Sequence, residues 1–150
     1  MGITMRILEM AKMPLAPALF CAMLLGCSDP GNTTGMAEHM ADEYYQAVKN
    51  KDFDKAAGMF LDSPGEPRAK WLEQLRDYNA KLGDLQDYKL IDKEVDTVYS
   101  GSRYIFRYVT TYSKSSATET LVLFDGVSNY GGANGNVMQI QGMVIKPKGS

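Results

Sequence analysis

The spacing of apolar residues in this chain changes once, at Gly83. Before it they recur every three or four positions. After it they recur every second position. A period of 3.6 builds helices with one buried stripe, and a period of 2 builds strands with one buried face. A chain that spends its helices first and its strands afterwards folds most simply as α+β, with the helices laid on one face of an antiparallel sheet.

The helical half divides into three. Met36, Ala37, Met40, Ala41, Tyr44, Tyr45 and Val48 form an i, i+4, i+8 stripe over 36–49, with Thr34 in reach as its N-cap. Asn50-Lys51-Asp52 interrupts the stripe. Phe53, Ala56, Ala57 and Phe60 mark a short second helix capped by Asp52. Ser63-Pro64-Gly65-Glu66-Pro67 is a loop by its punctuation, and Trp71, Leu72, Leu75, Tyr78 and Leu82 predict a third helix from about Pro67 to Leu82, stopped by Gly83.

The strand half begins with 86–98, whose Tyr88, Leu90, Val95 and Val98 are spaced as in a long, bent or bulged edge strand. Arg103–Tyr112 is the clearest strand, with Tyr104, Phe106, Tyr108, Thr110 and Tyr112 in one phase. A hairpin centred on Lys114-Ser115 would set Thr110 opposite Glu119 and Tyr108 opposite Leu121. Residues 125–136 are rich in Gly and Asn and predict a loop. Val137–Ile145 predicts a last strand, with Gly142 at a bulge. The fold expected is α+β, with N-terminal helices packed on a curved antiparallel sheet of about four strands.

The first 26 residues follow a different logic. Arg6 and Lys12 precede 14 apolar residues, Met13 to Gly26. A membrane-spanning helix needs about 20, and the apolar part of an export leader about 7–15. The run ends in Leu24-Leu25-Gly26-Cys27, which resembles the lipobox of bacterial lipoproteins. The resemblance implies recognition of Leu24, Leu25 and Gly26 by the signal peptidase, cleavage before Cys27, and lipid on the Cys27 thiol. Cys21 follows Leu19-Phe20 and offers the peptidase no small residue. The organisation expected is a leader at 1–26, a lipidated tether at 27–35 and one domain at 36–146. The resemblance also implies a cell-envelope location, anchored to the membrane and facing the periplasm. Ser28 in place of an Asp favours the outer membrane.

Tyr44-Tyr45-Gln46-Ala47-Val48-Lys49-Asn50-Lys51-Asp52-Phe53, Trp71-Leu72-Glu73-Gln74-Leu75 with Leu82-Gly83, and Leu121-Val122-Leu123-Phe124-Asp125-Gly126 extend the resemblance to 36–146. There the chain is similar to small exported proteins with a cystatin-like or nuclear-transport-factor-like cone fold. The long 129–136 loop, without a Trp, departs from that pattern. The resemblance implies fold more than function, and allows a homodimer built through sheet faces.

Composition narrows the function classes. A net charge of -2 argues against nucleic acid held on a basic face. One histidine and two cysteines are too few for a zinc site or a disulfide framework. No Gly-x-Ser-x-Gly elbow accompanies His39, and no helix pattern follows the glycines of 126–135 to cradle a phosphate. No cofactor is expected. Glu119 and Asp96 are the acids nearest strand interiors. Trp71, Tyr104 and Tyr108 are the candidate pocket, with simple core packing as the competing reading. The function expected is a non-catalytic binding or accessory module for an envelope protein or a small apolar ligand. The alternative is a small-molecule enzyme, of isomerase or hydrolase type, with an acid in that pocket.

Overall fold

The computed structural model describes residues 33–127 and 136–148. The expected leader, Leu24, Leu25, Gly26 and Cys27 lie outside the described residues, as does most of the Gly/Asn-rich loop. Three helices come first: α1 (Thr33–Lys49), α2 (Phe53–Ala57) and α3 (Arg68–Leu82). Four strands follow: β1 (Leu85–Val98), β2 (Gly101–Tyr112), β3 (Ser116–Val127) and β4 (Asn136–Pro147). They form one antiparallel sheet in the order β1-β2-β3-β4. The molecule is α+β, with its helices packed on one face of a curved sheet.

Helix α1 buries Ala37, Ala41, Tyr44, Tyr45, Ala47 and Val48. The alanines bring its backbone close to the sheet, and the two tyrosines reach furthest in. Met36, expected on the buried stripe, is 62% exposed. The helix also starts earlier than its apolar pattern suggests. Thr34 lies inside the first turn, and Thr33 accepts a hydrogen bond from the Tyr104 hydroxyl of β2. That tie links residues 71 apart, so no local pattern announces it.

Capping explains the other helix ends. Asp52 accepts the Lys55 N–H at 3.1 Å and starts α2, as its position predicts. Pro67 stands at the N-cap of α3 and has no side-chain acceptor, so Asp62 reaches across the loop to accept the Arg68 N–H at 3.2 Å. Gly83 ends α3 with φ 88° and ψ −168°, a conformation open almost only to glycine.

In β2, Tyr104, Phe106, Tyr108, Thr110 and Tyr112 all point toward the helices and are buried. Ala117, Glu119, Leu121 and Leu123 do the same from β3. The β2–β3 hairpin turns at Ser113-Lys114, closed by Tyr112 N–H to Ser115 O at 2.7 Å. Thr110 therefore faces Ala117, and Tyr108 faces Glu119. This corrects the register expected from a turn at Lys114-Ser115. The cause is tertiary. Ser113 and Asp84 exchange backbone and side-chain hydrogen bonds at 2.9 and 3.0 Å, and Lys114 bonds Leu82 O and Ala80 O. The end of α3 thus grips the turn one residue early. A two-residue slip keeps every side chain on its face, since strands repeat every two residues.

Bulges bend the sheet. Registers shift between Leu85 and Asp87, between Leu90 and Asp92, and opposite Val122/Leu123, where Gln141 is the extra residue beside Gly142. The two sheet edges differ. Along β4, the 59–61 segment pairs with Ile140, donating from Leu61 N–H at 2.8 Å and accepting the Ile140 N–H at Met59 O at 2.9 Å. Along β1 the edge is charged, with Asp92 paired to Arg107 and Asp96 to Arg103. Charge on an edge strand discourages pairing with another chain.

Candidate functional site

The interior acid is Glu119. It lies on β3 in the phase that faces the helices, and it is 1% exposed. Thr110 Oγ1 lies 2.9 Å from its Oε1, the Tyr112 hydroxyl 2.5 Å from the same oxygen, and the Tyr45 hydroxyl 3.2 Å from Oε2. Two of these partners come from β2 and one from α1, so the cluster joins the sheet to the main helix. Burial pushes the Glu119 carboxyl above its ordinary value, and the three hydroxyls pull against that shift without cancelling it. The same burial, with the acid beside them, pushes the Tyr45 and Tyr112 phenols up, so both stay protonated.

Aromatic rings pack round this cluster in a chain. Trp71 stacks on Phe60 at 4.1 Å between ring centroids. Phe60 meets Tyr44 edge-on at 5.8 Å, and Tyr44 meets Tyr45 edge-on at 5.0 Å. Tyr45 in turn lies against Tyr108 at 4.5 Å and Tyr88 at 4.7 Å. Trp71 thus begins a ring chain that closes at the other end in a three-ring group of Tyr45, Tyr88 and Tyr108, and Trp71 and Tyr108 are each 5% exposed. Tyr104 stands apart from that chain, beside Phe106 at 6.3 Å, with its hydroxyl on Thr33. All three candidate pocket residues lie in the buried cluster, in contact with side chains of the same molecule. Edge-on and offset contacts of this kind add about 0.5–1.5 kcal/mol each beyond burial.

The remaining candidates lie outside this cluster. Asp96 sits on the exposed sheet edge, 3.8 Å from Arg103. His39 is exposed and 3.8 Å from Glu43, one helical turn on. Among the described residues no group of three His, Cys, Asp or Glu is arranged to hold a metal ion. A general acid or base must touch the substrate it serves. Both oxygens of Glu119 are instead engaged by its own chain. The partners Tyr45, Thr110 and Tyr112 were not evident from sequence as a group. Their one shared signal is phase: each falls on the inward phase of its element, opposite an acid that does the same.

No protein-family model matches the chain, and no curated protein does. Among solved structures, a 2.5 Å structure of a protein from Catenulispora acidiphila is similar, with a TM-score of 0.52 and 15% identity. The match covers 77% of this chain and 91% of that one. The likeness is one of fold.

Proposed function

We propose that the chain is a lipid-anchored envelope protein whose cystatin-like or nuclear-transport-factor-like domain acts as a non-catalytic binding or accessory module. In this reading it works through the sheet face turned away from the helices. The observation that carries it is the ring chain from Trp71 to Tyr108, which fills the space between helices and sheet with the protein's own side chains. Binding then falls to the surface. On the far face, Ile105, Val109, Val122 and Phe124 are half-buried and Val144 is 53% exposed, and among the described residues no helix covers them.

The anchor rests on Leu24-Leu25-Gly26-Cys27 behind its 14-residue apolar run. No helix among the described residues is long and apolar enough to cross a membrane. Helix α1 starts six residues after Cys27, so covalent geometry keeps the domain within about 20 Å of the lipid. Ser28 favours the outer membrane. The second reading, an isomerase or hydrolase, draws support from one observation, a buried acid shifted upward.

A photo-reactive amino acid set in turn at Val144 and at Tyr108 separates the two in living cells. The binding reading expects adducts to an envelope protein, or to a second copy, from Val144 alone. Native mass spectrometry should also find no small molecule retained. Adducts or a retained ligand at Tyr108 would move binding to the interior, and only chemical conversion of that ligand would favour the enzyme over a carrier of a small apolar molecule.

A further inference from the structure

The hydrogens around Glu119 do not balance its contacts. Thr110 Oγ1 lies 2.9 Å from Glu119 Oε1 and 3.3 Å from Ala117 O. The Tyr112 hydroxyl lies 2.5 Å from Oε1, and the Tyr45 hydroxyl 3.2 Å from Oε2. That makes four oxygen–oxygen contacts. Three hydroxyls bring three hydrogens, while a carbonyl and an ionised carboxylate bring none. One contact would then set two lone pairs against each other in a buried site, where an unmet polar group is most costly. A hydrogen on Oε1 completes the set. Glu119 donates to Thr110, Thr110 donates to Ala117 O, and Tyr112 and Tyr45 donate to Oε1 and Oε2.

Among the described residues nothing cationic offsets a charge there. Among the described residues, none of the ion pairs includes Glu119. From α1 it is faced by the neutral phenols of Tyr44 and Tyr45. From β2 it is faced by Tyr112, Thr110 and its cross-strand neighbour Tyr108, and from β4 by Ile145 opposite. Tyr78 of α3 lies beyond, near Tyr44 and Tyr112.

We infer that Glu119 holds a proton in the folded domain and releases it on unfolding, so that folding takes up a proton and acid tightens the fold. Burial raises the carboxyl above its ordinary 4.5, which agrees in direction with the hydrogen count. The sign follows. Below 4.5 both folded and unfolded chains hold the proton, and the full contribution is present. As pH rises through the folded value the contribution is lost.

The test is urea unfolding of the full-length chain from pH 4 to 8, beside Glu119→Gln. The amide brings its own hydrogens and does not titrate. The ratio of the two unfolding constants should change by up to tenfold per pH unit above 4.5, with the wild type losing ground. A ratio that stays constant across that range overturns the inference. Should Glu119→Gln fail to fold, the Glu119 side-chain carboxyl carbon, followed by NMR in the native protein, decides. Ionisation above 4.5 is expected, and ionisation at or below it overturns the inference.

Discussion

Single residues carry the junctions of this molecule. Gly83 ends α3 in a conformation that costs other residues about 1–3 kcal/mol, and a Cβ there would overlap Ser113 Oγ. Gly83→Ala should therefore lower stability by about 2–3 kcal/mol by urea denaturation, and should loosen the Ser113-Lys114 turn that packs on it. Tyr112 is the closest donor to the buried acid. Tyr112→Phe removes that hydrogen bond and leaves Glu119 one partner short, a loss of about 1–3 kcal/mol. Asp96→Asn, at the exposed edge, should change stability by less than 1 kcal/mol in the same assay. Sequence marked both acids as near strand interiors, and only depth separates them. Glu119 follows the inward phase of β3, whereas Asp96 falls opposite Arg103 on the solvent side of a bulged strand. Bulges change phase, and the sequence of β1 marks no position for them.

At the scale of elements, the strands and helices were legible from period alone, while their mutual fit was not. Three helices then four strands follow from the switch at Gly83, and the Gly142 bulge from a glycine inside a strand pattern. The β2–β3 register differs from the expected one because Ser113 and Lys114 donate to the carbonyl oxygens of Asp84, Leu82 and Ala80, and Ser113 accepts from Asp84 N–H, partners about 30 residues away that move the turn. The closure of the β4 edge by 59–61 was likewise invisible. Phe60 holds that closure, stacked on Trp71 and bridged to Ile140. Phe60→Ala should cost about 3–5 kcal/mol. Amide exchange at the Ile140 N–H should accelerate with it, because that N–H bonds Met59 O.

The whole molecule combines two opposite responses to pH. Asp84 is held below its ordinary 3.8 by a hydrogen bond from Lys51, so its contribution is present above 3.8 and is lost as pH falls through the folded value. Glu119 is held above 4.5, so its contribution is lost as pH rises. The two contributions are therefore present together only near the ordinary carboxylate values. What no fold shows is where the molecule sits, and that part of the account stands on four residues at the end of an apolar run. Intact mass of the protein from the membrane fraction, with and without Cys27→Ser, tests it most directly. The account predicts a 124-residue chain carrying acyl groups, and loss of both the acyl mass and membrane attachment in the variant. A full-length, unmodified chain in the soluble fraction would contradict it.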